Sequence, residues 1–167
     1  MKKILSLTMA LAMIGTAFTG CGAKTAAPET SVEPTQQTAP YQQEQSQTEK
    51  ALALINTFAT GDTDTARSLL SDGYIQHNLA YGTGADAFIG SVEYLAAADV
   101  KTTVNNIRAF EDGDKVFLQT IYNFAGAGEQ VAFDIFRFDE DGKIAEHWDV
   151  METIADQSTW QNQNGKF

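Results

Sequence analysis

Two Asp-Gly dipeptides, Asp112-Gly113 and Asp141-Gly142, each separate two strand-like runs in the second half of the chain. An Asp-Gly pair between such runs is a strong hairpin signal, because both residues tolerate the positive φ angles of a tight turn. The four runs cover residues 101–111, 115–124, 129–140 and 143–151. The sequence therefore predicts a series of antiparallel strands, and this feature constrains the fold more than any other.

Three helices are predicted ahead of these strands. Residues 49–59 carry apolar side chains at helical spacing, and Gly61 ends the segment. Asp62 is suited to cap a second, short helix that ends at Ser71-Asp72-Gly73, and residues 85–97 form the third. Helices followed by antiparallel strands predict an α+β domain, in which the helices pack on one face of a curved antiparallel sheet and leave a pocket between the layers.

The first twenty residues have the pattern of an export signal. Two lysines precede an uncharged, mostly apolar run at residues 4–18, which is short for a bilayer span but suits a secretory signal. The run leads into Phe18-Thr19-Gly20-Cys21, which holds the only Cys of the chain and resembles the lipobox of bacterial lipoproteins. This resemblance implies removal of residues 1–20, lipidation of Cys21, and an extracytoplasmic protein anchored to a bacterial cell membrane. An ordinary signal peptide with a chance Cys is the alternative.

The chain after the predicted cleavage site divides into three parts. Residues 21–48 are rich in Ala, Thr, Gln, Glu, Ser and Pro. Such a segment cannot bury enough apolar surface to offset its ordering entropy, so we expect a disordered tether. The folded domain is expected at residues 49–156, and residues 157–167 form a C-terminal tail.

Charge and cysteine content exclude several functions. The net charge of −11 repels nucleic-acid phosphates, so no nucleic acid is expected as a partner. It would also repel anionic lipid headgroups, which leaves the lipid on Cys21 as the expected membrane attachment. A single Cys excludes a disulfide framework and a multi-Cys zinc site.

The register of the second predicted hairpin brings two carboxylates and a histidine together. If Asp141-Gly142 forms a two-residue loop, Asp134 lies opposite Asp149, and Phe136 lies opposite His147. These four side chains then share one face of the sheet, because side chains alternate along a strand. The same alternation assigns the opposite, outer face to Phe133, Ile135, Ile144, Trp148 and Val150.

Two carboxylates that face each other repel, so the pair formed by Asp134 and Asp149 is unfavourable for stability alone. It is tolerated if one group is protonated, if His147 lies between them as a cation, or if a metal bridges them. A carboxyl group whose pKa is raised by a like-charged neighbour and an apolar wall can act as a general acid or base near neutral pH. The alternative is a solvated strand end with exposed Asp and His.

The second histidine, His77, lies in the polar string Gln76-His77-Asn78 between a helix and a Gly-rich loop. It belongs either to a surface turn or to the rim of the same pocket, which it would reach from the helical layer. Two histidines with one or two aspartates can form a metal set. No metal is expected, however, because no close His-x-x-x-His spacing is present.

Three strings of the chain resemble the SnoaL-like proteins of the nuclear transport factor 2-like superfamily, which includes ketosteroid isomerase and scytalone dehydratase. They are Tyr74-Ile75-Gln76-His77-Asn78, Phe133-Asp134-Ile135-Phe136-Arg137 and Gly142-Lys143-Ile144-Ala145-Glu146-His147-Trp148-Asp149-Val150. The resemblance covers about residues 49–155. It implies a cone-shaped α+β roll with about three helices, and a homodimer formed through the outer face of the sheet.

The resemblance also implies site residues and a cofactor-free chemistry based on Asp and His. The polar positions of the family strings are matched by His77, Asp134, His147 and Asp149. Contacts to a ligand are expected from Tyr74, Asn78, Tyr122 and Phe136.

Two functions remain open from the sequence. One is an exported, lipid-anchored domain that binds a small, largely apolar molecule. The alternative is a cofactor-independent acid–base enzyme, such as an aldol-type cyclase, isomerase or dehydratase. Convergence of Asp134, His147 and Asp149 in a closed apolar cavity would favour chemistry, whereas side chains that point into bulk water would exclude it.

Overall fold

The computed structural model describes residues 44–167. The predicted signal segment, Cys21 and most of the predicted tether lie outside the described residues. Among the helices of residues 44–167, none has both the length and the apolar character that a membrane crossing requires.

Three α-helices are present, as predicted. They are α1 (Gln47–Thr60), α2 (Thr63–Leu69) and α3 (Ala85–Ala96). α1 begins earlier than expected because Ser46 and Glu49 form a capping box, in which each side chain accepts the backbone N–H of the other residue. Asp62 caps α2 as predicted, since its Oδ1 accepts the N–H of Thr65 at 2.9 Å.

Five strands form one curved, mixed sheet in the order β1-β5-β4-β3-β2. The strands are β1 (Leu70–Gln76), β2 (Thr103–Asp112), β3 (Lys115–Asn123), β4 (Glu129–Phe138) and β5 (Ile144–Thr153). β2 to β5 form the predicted antiparallel series, and β1 adds a fifth strand that runs parallel to β5. The prediction that Ser71-Asp72-Gly73 ends α2 is wrong, because these residues already belong to β1.

The helices cover one face of the sheet, which we call the inner face, and share one core with it. Leu54 of α1 and Val92 of α3 belong to the same buried cluster as Leu118 of β3 and Phe136 of β4. Each fully buried side chain of this kind contributes about 1.5–3 kcal/mol to folding. This core therefore holds the helical and sheet walls of the space between them in fixed positions.

The loop between β4 and β5 is longer than predicted. The Asp139 carbonyl accepts the N–H of Gly142 at 3.0 Å, and the Asp139 N–H donates to the Lys143 carbonyl at 2.9 Å. Gly142 has a φ of 68°, in the left-handed region that favours glycine. The turn therefore closes between Asp139 and Lys143, and the predicted two-residue loop is wrong.

A β-bulge offsets the longer loop. Phe138 pairs with Ile144, whereas Arg137 pairs with Glu146, so that Ala145 is one extra residue on β5. Farther along the hairpin the pairing is consequently the predicted one. The bulge also turns Ile144 into the core, where it is fully buried, so its predicted place on the outer face is wrong.

The outer face of the sheet carries a continuous group of apolar side chains, which we call the outer apolar face. Its members are Phe110, Phe117, Phe133, Ile135, Trp148 and Val150. Val150 is 71% exposed and Phe110 is 58% exposed. Next to this face, the C-terminal tail is fixed by a hydrogen bond from Gln119 Nε2 to the Lys166 carbonyl at 2.9 Å.

Candidate functional site

A cavity of about 470 Å³ lies between the helices and the inner face of the sheet. Aromatic side chains form much of its wall, among them Phe58 of α1, Phe88 of α3 and Tyr122 of β3. Two carboxylates, Asp134 and Asp149, line it from the sheet. Because an apolar wall solvates charge poorly, these carboxylates require polar partners within the protein.

Asp134, His147 and Asp149 form what we call the carboxylate–histidine cluster. β4 and β5 pair Asp134 with Asp149 and Phe136 with His147, which is the predicted register. One donor atom from each member of the cluster lies within 4.8 Å of the others. His147 Nε2 lies 3.3 Å from Asp134 Oδ1 and 3.9 Å from Asp149 Oδ2, so the imidazole stands between the two carboxylates.

Asp134 is a buried acceptor with both oxygens engaged. Its Oδ2 accepts the Tyr122 hydroxyl at 3.1 Å, and its Oδ1 faces His147 Nε2. Burial, followed by the charge of Asp134, raises the pKa of Tyr122, so this hydroxyl remains a donor. Asp134 is therefore fixed in place by the protein and has no oxygen without a protein partner.

Asp149 has one oxygen available to a ligand. Its Oδ1 accepts a short hydrogen bond from Asn78 Nδ2 at 2.5 Å. Its Oδ2 is 3.9 Å from His147 Nε2, which is beyond hydrogen-bond distance. Burial raises the pKa of Asp149, and the charge of Asp134 adds to this, while the hydrogen bond from Asn78 opposes it, as does the charge of His147 whenever its ring is protonated. Asp149 therefore holds a proton more readily than an ordinary Asp does.

Tyr74 lines the cavity beside this cluster. Burial, and then the charges of Asp149 and Asp134, raise the pKa of the Tyr74 hydroxyl, so it stays protonated. It accepts a long hydrogen bond from Gln76 Nε2 at 3.4 Å, and among the described residues no acceptor takes its own proton. A ligand oxygen in the cavity can accept a hydrogen bond from this hydroxyl.

The carboxylate–histidine cluster is also the group of described residues with donor atoms close enough together for a metal ion. Two carboxylates and an imidazole are ligands that several transition metals accept. Binding a metal here would, however, displace the hydrogen bond that Asp134 accepts from Tyr122 and the contact of Asp134 with His147 Nε2. The cluster is not an open donor set, and a hydrogen-bonded proton site fits its geometry better.

Residues 51–147, more than half of the chain, match the SnoaL-like domain family. The chain belongs to the SnoaL-like family. This confirms the resemblance carried by the three sequence strings. No curated protein matches the chain.

Several solved structures have the same fold as this SnoaL-like domain. An NTF2-like protein from Cytophaga hutchinsonii is 16% identical, with a TM-score of 0.57 over 66% of this chain and 94% of that chain. An LEH-like epoxide hydrolase of M. tuberculosis is 18% identical, with a TM-score of 0.54 over 62% and 80%. IdmH from Streptomyces antibioticus, which has been proposed to be a polyketide cyclase, is 18% identical, with a TM-score of 0.52 over 65% and 93%. At these identities the likeness shows the fold.

The SnoaL-like domain brings six of the predicted site residues together. Asp134, His147 and Asp149 form the cluster, Tyr74 and Tyr122 line the cavity, and Asn78 is bonded to Asp149. Two predicted residues lie elsewhere.

His77 lies on the outer side of the sheet, away from the cavity. Its ring stacks on Trp148 of the outer face, with centroids 4.4 Å apart, and its Nε2 lies 2.9 Å from Glu146 Oε2. The expectation that His77 reaches the pocket rim is wrong, because β1 is a strand and successive side chains point to opposite faces. Tyr74 and Gln76 point inward, and His77 points outward.

Phe136 lies beneath the cluster and does not line the cavity. Its side chain is fully buried, and its ring stacks on His147 with centroids 4.4 Å apart and planes 6° apart. The predicted ligand contact is therefore wrong. Phe136 supports the imidazole from the core side.

Several polar residues that line the cavity were not predicted from the sequence. They are Gln76, Tyr81, Ser91 and Gln130. Gln76 could have been found from strand alternation, because the sequence predicts an extended piece at residues 74–78, in which Gln76 shares a face with Tyr74. Gln130 could have been found in the same way, because it lies on β4 and shares the inner face with Asp134. Tyr81 and Ser91 carry no such signal, since a loop and the packing of α3 bring them to the cavity.

Proposed function

We propose that this SnoaL-like domain binds a small, uncharged and largely apolar carbonyl compound in the cavity and moves a proton on it. The single observation that carries the proposal is the Asp149 carboxyl group, which lines an aromatic cavity, has a raised pKa, and has no hydrogen-bond partner for Oδ2 among residues 44–167. The ligand is expected to be uncharged because, within residues 44–167, two carboxylates and no Lys or Arg line the cavity.

The proposed chemistry needs no cofactor. The Asp149 carboxylate removes a proton from the carbon next to the carbonyl group, and the Tyr74 hydroxyl donates a hydrogen bond to the oxygen as negative charge develops there. If a C=C bond adjoins the deprotonated carbon, return of the proton from Asp149 to the far carbon of that bond shifts the C=C bond and isomerises the compound. A β-hydroxyl group instead takes the proton from Asp149 and leaves as water, which dehydrates the compound. Attack of the enolate carbon on a second carbonyl group of the same molecule gives an aldol-type ring, whose new alkoxide takes the proton from Asp149.

Binding without chemistry is the second candidate. The apolar aromatic wall favours it as much as it favours catalysis, because a binding module uses the same cavity. Binding alone, however, does not require a carboxyl group with a raised pKa. The two candidates therefore differ in one measurable property, which is proton transfer to the bound molecule.

An exchange experiment tests the proposal with 2-tetralone, a small apolar aromatic ketone, as the probe. The full folded protein is incubated with 2-tetralone in D₂O, and loss of the α-proton signals is followed by ¹H NMR. We expect saturable acceleration of exchange over buffer. Binding of 2-tetralone by saturation-transfer NMR with exchange at the buffer rate would instead support the binding module.

We also propose that the protein is exported and anchored to the outer side of a bacterial membrane by a lipid on Cys21. The uncharged run at residues 4–18 and the lipobox-like string that ends in Cys21 support this proposal. In a bacterial host, Cys21→Ser is expected to move the protein from the membrane pellet to the soluble extracytoplasmic fraction and to abolish labelling by an alkyne fatty acid. Equal membrane retention and labelling of the variant would contradict lipidation.

We propose further that two copies pair through the outer apolar face. The exposed Phe110, Phe133 and Val150 support this, because a group of apolar side chains of this extent is unfavourable in water. Val150→Glu is expected to convert a dimer to a monomer in sedimentation velocity. Leu79→Glu is the matched control, since Leu79 is fully exposed in a loop. A wild-type protein that sediments as a monomer would contradict the pairing.

A further inference from the structure

We propose that Gln76 is a positioning residue that sets the tautomer of His147. A hydrogen bond from the Gln76 side-chain amide to His147 Nδ1 holds the imidazole neutral, with its proton on Nε2. This proton is directed at the carboxylates. The inference deepens the proposed function, because the tautomer decides which carboxylate of the cluster is free to move a proton.

The orientation of the Gln76 amide is fixed by the backbone. Gln76 Oε1 accepts the N–H of Asn78 at 2.9 Å. A backbone N–H can only donate, so the atom that faces it must be the amide oxygen. The other end of the Gln76 side chain is therefore the NH₂ group, and this group faces His147.

The tautomer of His147 follows from this orientation. Gln76 Nε2 lies 3.0 Å from His147 Nδ1. The NH₂ group can only donate, so Nδ1 must accept with its lone pair, and the proton of the neutral ring is on Nε2. That proton points to Asp134 Oδ1, 3.3 Å away. A ring with a proton on Nδ1 would instead place two donors against each other.

Packing in the core holds the His147 ring in this orientation. His147 is buried, and the face-to-face stack on Phe136 fixes its plane. The pairing of β1 with β5 sets Gln76 next to His147, so the strand register itself supplies the partner.

The tautomer separates the roles of the two carboxylates. With the proton on Nε2, Asp134 accepts hydrogen bonds at both oxygens, from His147 and from Tyr122. Asp149, which lines the cavity, then keeps Oδ2 without a hydrogen-bond partner among the described residues. With Nε2 unprotonated, its lone pair would face both carboxylates and repel them. A protonated Nε2 is also unable to ligate a metal.

Asn78 connects both halves of the arrangement. Its backbone N–H orients Gln76, and its side-chain amide donates to Asp149 Oδ1. One residue of the loop after β1 therefore places both the group that sets the tautomer and the carboxylate that is proposed to react.

Nitrogen NMR of histidine side chains tests the inference without any ligand. The chain has two histidines, so a sample labelled with ¹⁵N-histidine gives two sets of imidazole signals. His77→Gln, which changes only the outer side of the sheet, assigns them. We expect His147 to show an unprotonated Nδ1 and a protonated Nε2.

Two substitutions then test whether Gln76 is the cause. Gln76→Glu replaces the donor with an acceptor, and Nδ1 of His147 is expected to become protonated. Gln76→Leu removes the donor, and a mixture of tautomers is expected. Backbone amide spectra confirm that each variant is folded. A protonated Nδ1 in the wild-type protein, or an unchanged tautomer in both folded variants, would overturn the inference.

The outcomes also separate this inference from the proposed function. If His147 shows the expected tautomer but 2-tetralone exchange is not accelerated, the positioning role stands and the proposed reaction fails. If exchange is accelerated but the tautomer does not respond to Gln76, the reaction stands and the positioning role fails.

Discussion

Replacement of Asp149 by Asn is expected to lower kcat for α-proton exchange on 2-tetralone by about 10²–10⁴-fold, the usual contribution of a general base. The substitution keeps the size of the side chain, and the new amide oxygen can still accept the hydrogen bond from Asn78. Only the ability to take a proton is lost. Affinity for 2-tetralone, measured by saturation-transfer NMR, should therefore change little.

Asp141→Asn is the matched control, because Asp141 is an exposed carboxylate in the turn between β4 and β5. It should exchange 2-tetralone at the wild-type rate. If Asp149→Asn also retained wild-type kcat, Asp149 would not be the proton-transfer group.

The pH dependence of the same reaction has a defined sign. Burial raises the pKa of Asp149, so its base form is lost at higher pH than for an ordinary Asp, and the exchange rate should fall as pH decreases through that raised pKa. The contribution of Asp149 to the free energy of unfolding has the opposite pH dependence. Because the pKa of Asp149 is higher in the folded state than in the unfolded state, this contribution is fully present below the unfolded-state pKa. It is lost as pH rises through the folded-state pKa.

Replacement of Phe136 by Ala is expected to lower the free energy of unfolding by about 3–5 kcal/mol. Phe136 is fully buried, and its removal would leave a cavity directly under the ring of His147. Urea unfolding followed by far-UV circular dichroism measures the loss.

Phe133→Ala provides the matched control on the same strand. Phe133 points to the outer face and is 42% exposed, so its substitution should cost far less. A loss for Phe133→Ala that depends on protein concentration would belong to dimerisation. Equal losses for the two variants at low protein concentration would contradict the assignment of Phe136 to the core.

The local part of the fold is predictable from the sequence because local patterns determine it. Capping residues, helical spacing and Asp-Gly turns lie within a few positions of the elements they define. The facing pair Asp134 and Asp149 was also predicted, although by a route that was wrong in one step. The loop is longer than two residues, and the extra residue at Ala145 restores the register. A bulge leaves no clear signal in a single sequence, so this compensation could not be foreseen.

The sequence predicts a short extended piece at residues 74–78, but its pairing with β5 could not be predicted, for a different physical reason. β1 pairs with β5 in parallel, and parallel partners are joined by a long segment of chain instead of a turn. No short pattern therefore links Gln76 to His147. Alternation along the extended piece would still have separated Gln76 from His77, and treating residues 76–78 as one polar group led to the wrong location for His77.

The position of β1 also has a consequence for the order in which the molecule folds. The contacts of Gln76 with His147 and of Asn78 with Asp149 each join residues 71 positions apart. β2 to β5 are instead linked in sequence by short turns, and closing a long loop costs more chain entropy than closing a short one. During synthesis β1 is made before β2 to β5, so it can pair with β5 only after the last of these strands has been made. We therefore expect the contacts of β1 with the carboxylate–histidine cluster to form late in folding. A chain that lacks them has Asp134 and Asp149 in register but lacks the hydrogen bonds from Gln76 and Asn78.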